Sequence, residues 1–254
     1  MKHVLFSFCT VLLLLSYSIA FDEVRTLQLN ASDISQFEID AGAGYLIITG
    51  DESVTEITVK ATIRVDHVDK DEFDSFVTLS LEQHGSKALL ISKFDIKNFY
   101  DLFDNNDARI DLDITVPFNM TLDIDDGAGL VRIKHLEGNV GLDDGSGSID
   151  IHDIIGNIDI EDGSGTIILG TISGDIEIDD GSGEIDIDQV TGDIHIDDGS
   201  GTIDVKSVKG SVTIDDGSGE IILSNIENDV IIEDDGSGGL SLNNIKGAVK
   251  RYDK

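Results

Sequence analysis

The sequence predicts an all-β chain wound as a single-stranded parallel β-helix, a β-solenoid with 18-residue coils that is expected to wind right-handed. Three observations predict it: a tandem repeat of fixed length, apolar residues alternating at period two inside it, and glycines recurring at the same place in each unit. Asp-Gly-Ser-Gly or its Ala variant puts its first glycine at 127, 145, 163, 181, 199, 217 and 236, so the spacing is 18 five times and 19 once. An 18-residue unit cannot bury its apolar face alone. Stacked copies can, each coil lying about 4.8 Å from the next.

Taken in chain order, residues 1–20 read as a secretory signal peptide. A basic start at Met1-Lys2-His3 precedes an apolar run from Val4 to Leu15, and Ser18 and Ala20 supply the small residues of a cleavage site. The run is too short to span a bilayer. The only cysteine, Cys9, lies inside it, so no disulfide is expected in the exported chain. The expected location is the bacterial periplasm, the cell surface or the medium, with no membrane insertion after cleavage.

Residues 21–121 read as irregular N-terminal coils. Phe37 to Ile48 looks like a degenerate first coil, and Val54–Val65 and Phe76–Phe94 alternate as strands. An aromatic insertion at about 94–107, with Phe94, Phe99, Tyr100 and Phe103, reads as a cap over the core. Residues 122–250 form the regular repeat. In the unit Asp180 to Asp197, Ile185/Ile187 and Ile194/Ile196 mark two short strands with Val190 between them, bounded by Asp-Gly-Ser-Gly and Thr-Gly-Asp turns. At the second turn the column Gly138, Gly156, Gly174, Gly192, Gly210, Asn228, Gly247 suggests a left-handed backbone position, since Asn best tolerates positive φ after Gly. The 19-residue spacing predicts a bulge near Glu233. Residues 251–254 are a short tail. Its cations, with Lys246 and Lys250, oppose end-to-end stacking and favour a monomer.

These features resemble the putative adhesin family of bacterial envelope proteins, a domain of unknown function built as a β-helix. The likeness runs from the Gly-rich strand Ala41–Thr49 through Ile114-Thr115-Val116-Pro117 into the Gly-x-Ile-x-Ile coils. It implies an envelope or surface location and an interaction role, with no catalytic residues to carry over. The Asp-Asp-Gly-Ser-Gly turns are also similar in part to calcium-binding secreted β-rolls, although the spacing is not a nonapeptide.

The chain carries 17 Lys+Arg against 51 Asp+Glu, a net charge of −34, which argues against a nucleic-acid partner. Two acidic columns flank the first turn: Asp126, Asp144, Asp162, Asp180, Asp198, Asp216, Asp235, and beside it Asp125, Asp143, Glu161, Asp179, Asp197, Asp215, Asp234. Two roles suit them. An Asp before Gly caps the turn by accepting its amide N–H groups, and Ca²⁺ could bridge successive coils through carboxylate oxygens. The expected calcium ladder is the first column together with Asp143, Asp179, Asp197, Asp215 and Asp234. No catalytic residue is expected. Ser182 recurs coil after coil, His152 and His195 occupy different columns, and residues 122–250 contain no Phe, Tyr or Trp to stack on sugars. The function expected is a non-enzymatic interaction module for a surface, a glycan or a basic protein. The alternatives are a polysaccharide-active β-helix enzyme with its site near the aromatic insertion, and a passive spacer.

Overall fold

The computed structural model describes residues 21–65, 75–94 and 108–252. The expected signal peptide, nearly all of the aromatic insertion, and the last two residues lie outside them. Two 11-stranded sheets face each other across an apolar interior. Each regular coil gives one strand to each sheet. Sheet A takes β9 (Ala128–Glu137), β11 (Gly147–Ile155), β13 (Gly165–Ser173), β15 (Gly183–Val190), β17 (Gly201–Val208), β19 (Gly219–Ile226) and β21 (Gly239–Ile245). Sheet B takes β8 (Thr121–Asp126), β10 (Val140–Asp144), β12 (Ile158–Asp162), β14 (Ile176–Asp180), β16 (Ile194–Asp198), β18 (Val212–Asp216), β20 (Val230–Asp234) and β22 (Val249–Arg251). Neighbouring coils pair in parallel and in register, as Ile149 on Ile167 and Ile158 on Ile176 illustrate. The expected solenoid of about seven regular turns is what the chain forms.

Alternation decides which side chains go inside. Ile149, Ile167, Ile185, Ile203 and Ile221 stack as one fully buried ladder, and Ile151, Leu169, Ile187, Val205 and Leu223 form another. β-Branched side chains suit this pleated, half-buried surface. The bulge falls where the 19-residue spacing puts it: Ile214 pairs with Ile232 but Asp215 pairs with Asp234, leaving Glu233 as the extra residue.

The N-terminal part departs from a simple succession of coils. β2 (Gln36–Ala41) and β3 (Ala43–Asp51) do form a coil, and it pairs directly with β8 and β9, placing Gly44 opposite Gly129. Before the chain reaches that neighbour it doubles back. β6 (Lys87–Phe94) and β7 (Arg109–Pro117) stack on the far side of the first coil. β1 (Phe21–Asn30), β4 (Glu56–Val65) and β5 (Val77–His84) then close that end with antiparallel pairs. Pro117 sits at the end of β7, where a missing N–H costs the ladder least.

The second-turn glycines correct an expectation. Of the column, only Gly156 has positive φ, at +154°, and Asn228 does not. What these positions require is space. A methyl group at Gly138, Gly156, Gly174, Gly192 or Gly210 would lie 2.0–2.3 Å from a carbonyl oxygen of the preceding coil. The left-handed column lies three residues earlier: His135, Asp153, Thr171, Gln189, Ser207, Asn225 and Asn244 all have φ between 54° and 62°. All seven are polar and four are His, Asp or Asn, the types that most often adopt this conformation, with Thr171, Gln189 and Ser207 mixed among them.

Candidate functional site

Each regular strand of sheet B ends in two acids. Period two sends the first outward and the second inward, in phase with the buried isoleucines. The inner column, Asp126, Asp144, Asp162, Asp180, Asp198 and Asp216, is accordingly 1–5 % exposed. Its members are direct partners along the sheet. In the five coils from Asp144 to Asp216, Oδ1 accepts the backbone N–H of the serine two residues on, at 2.9–3.3 Å. The turn-capping role is therefore present. The serine hydroxyl takes no part in it. The other oxygen, Oδ2, is buried in all six without a hydrogen-bond partner.

That environment disfavours the charged form. Burial, with the neighbouring Asp144 second, raises Asp126 to about 7. Burial likewise raises Asp144, Asp180 and Asp198 to about 6 against the turn amides that favour the carboxylate. Asp162 and Asp216 shift in the same direction for the same leading cause.

The outer column differs. Asp125, Asp143, Glu161, Asp179 and Asp197 are exposed, and Asp215 is half-buried. Adjacent acids of one coil thus point to opposite faces of sheet B and cannot converge on one ion. Among the described residues, no three His, Asp or Glu side chains are grouped so as to hold a metal. The last coil departs from both columns because of its bulge. There Asp234 Oδ1 takes the cap, accepting Gly236 N–H at 2.9 Å, while Asp235 pairs with Arg251 at 2.7 Å. The expected placement of Asp235 in the capping column is corrected accordingly.

A further polar column emerges at the second turn. Asn139, Asn157, Asp175 and Asp193 each accept, through Oδ1, the backbone N–H of the equivalent residue in the next coil at 2.7–3.0 Å. The signal was present as Asn or Asp after the second-turn glycine.

The two outer faces carry different charge. Outward positions of sheet B hold Asp123, Asp125, Asp143, Asp159, Glu161, Glu177, Asp179, Asp197, Asp215 and Glu233, with no Lys or Arg among the outward residues of β8 to β20. A shallow groove of about 660 Å³ crosses this face, lined by Asp123, Asp159, Asp175, Glu177 and Asp193. Both faces pair part of their charge: on sheet B Lys87 pairs with Glu38 and Lys93 with Asp40 near the N-terminal end, and on sheet A Arg132 pairs with Asp150 at 2.7 Å and Lys206 with Asp186 at 2.8 Å. A second groove, about 820 Å³, follows the corner of left-handed residues and includes the half-exposed Ile155. Among the described residues the histidines do not gather: His84 pairs with Glu82, His152 pairs with Asp150, His135 packs on Phe118 at 4.8 Å, and His195 stands exposed on sheet B.

No protein-family model matches the chain, and no curated protein matches it. Solved structures similar to it include a putative cell adhesion protein from Clostridium sporogenes, 14% identical, covering 89% of this chain and 99% of that one at TM-score 0.35. A putative lipid binding protein from Parabacteroides distasonis is 14% identical over 91% of this chain and 97% of its own, at TM-score 0.45. A putative adhesin from Bacteroides fragilis is 12% identical over 91% and 97%, at TM-score 0.34.

Proposed function

We propose that the chain is an exported, non-enzymatic, adhesin-like module of the bacterial envelope that engages a cationic partner through the outer face of sheet B. The observation carrying this reading is the ordered row of acids on that face from β8 to β20, with no Lys or Arg among the outward residues of those strands. A rigid row of like charges at strand spacing presents a field that a flexible acidic tail cannot concentrate. Export is supported by the signal-like first 20 residues. The non-enzymatic reading is supported, among the described residues, by His84, His135, His152 and His195 lying on four different strands.

Binding to immobilised polylysine, measured across a salt series, tests this. The full exported chain should bind, and binding should weaken as salt rises. The triple variant Asp123→Asn/Asp159→Asn/Glu177→Gln should bind several-fold more weakly than a variant neutralised at Glu184, Asp204 and Glu220 on sheet A. Equal losses from the two variants would remove the assignment to sheet B. Turnover screening on plant, algal and bacterial glycans addresses the enzyme alternative, and any cleavage would overturn the non-enzymatic reading.

A further inference from the structure

The inner aspartates pose a chemical problem that the acidic outer face does not share. Six carboxyl groups stand in register, one per coil, at the roughly 4.8 Å spacing of adjacent strands. Each has one oxygen buried without a donor. A carboxylate is an acceptor only and needs several donors to leave water without penalty. Six buried negative charges at this spacing would also repel one another through a medium less polar than water.

Among the described residues, nothing around them supplies the missing positive charge. Along sheet B the charged groups facing them are the column itself and the adjacent Asp125, Asp143, Asp179, Asp197 and Asp215, with Asp234 and Asp235 at the end. Across the interior, the inward positions of sheet A are apolar, as with Ile149/Ile151, Ile167/Leu169 and Ile185/Ile187. Among the described residues, the groups that perturb this column are all aspartates or turn amides. A proton is the one cation that needs no further ligands.

We propose that Asp126, Asp144, Asp162, Asp180, Asp198 and Asp216 form a stack of carboxylic acids, each holding its proton on the inward Oδ2, so that the rod is tightened by acid and loosened by base. Protonation turns an unsatisfiable acceptor into a neutral hydroxyl while Oδ1 keeps its bond to the turn. The column runs through six of the seven regular coils, so its titration acts together on the five junctions between them. It is a pH-responsive element built into the core, distinct from the surface charge.

Infrared spectroscopy of the exported chain reads the proton directly. At pH 5.5 an exposed carboxyl is almost wholly ionised. The expected result is a clear protonated-carboxyl C=O band at that pH. The band should shrink in Asp180→Asn, which keeps shape and acceptor, and change less in Asp179→Asn, its outward neighbour, whose charge adds only a lesser push to Asp180. Thermal melts accompany it: the wild-type midpoint should fall from pH 5 to pH 8, and fall less in Asp180→Asn than in Asp179→Asn. Absence of the band at pH 5.5 in the wild type overturns the proposal even if a variant fails to fold. So does a pH 8 midpoint that calcium raises and EDTA lowers, since a bound cation would then be doing the neutralising.

Discussion

Gly183 offers a direct test of how the coils are held. A methyl group there would lie 1.8 Å from the carbonyl oxygen of Gly165. An ordinary contact needs well over 3 Å, so Gly183→Ala must push the two turns apart by more than an ångström. That displacement breaks or stretches the bonds from Gly165 N–H to Ser182 O and from Gly183 N–H to Ser200 O, both 3.0 Å long. Two backbone bonds at about 1 kcal/mol each, with about 1–3 kcal/mol for overpacking, give a loss of about 3–5 kcal/mol. For a chain of this size that is a fall in Tm of about 6–20 °C. The control is Gly141→Ala on an outward position of β10, where the added methyl would meet nothing closer than 3.9 Å. Its Tm should be unchanged or slightly raised, because alanine suits a strand interior better than glycine. Differential scanning calorimetry of both variants decides the matter. Equal midpoints would refute the claim that backbone-to-backbone packing at the turns excludes a side chain.

The acid column sets a pH dependence of definite sign. A carboxyl whose folded pKa exceeds its unfolded one stabilises the fold while protonated, so the contribution is full below about 4 and is lost as pH climbs to 6–7. A rise from 3.8 to about 6 at Asp180 corresponds to about 3 kcal/mol, so Asp180→Asn should recover about that much stability at pH 8 and almost none at pH 4, by denaturant titration. Asn157→Ala removes the acceptor for Asp175 N–H and should cost about 1 kcal/mol in the same assay. Thr171→Gly relieves a β-branched residue held at φ 58° and should gain about 1 kcal/mol; a loss would show that the corner depends on that side chain.

Which features were legible in the sequence follows from how far apart the interacting residues lie. The coil period, the buried ladders and the bulge at Glu233 all depend on the same column one coil away, so the repeat displays them. Burial of Asp180 was also visible, because Ile176, Ile178 and Asp180 share one phase of the alternation. The turn composition masked it. The left-handed column was half hidden: His135, Asp153, Asn225 and Asn244 are types that favour positive φ, but Thr171, Gln189 and Ser207 interrupt them. The doubling back of β6 and β7 was hidden for another reason. Which side of the first coil they stack on is set by long-range pairing, to which local alternation is blind. The acidic face was half legible: the excess charge shows in composition, but its concentration on sheet B appears only when the two strands of each coil are assigned to separate sheets.

In the proposed function sheet B, and not sheet A or the corner groove, is the working surface. Residue-resolved amide NMR of the exported chain titrated with a short oligolysine peptide tests it most directly. Shifts confined to the outward residues of β8 to β18, led by Asp123, Asp159 and Glu177 and reversed by salt, are the predicted result. Shifts centred on sheet A, on the Ile155 groove, or spread evenly over both sheets would contradict it.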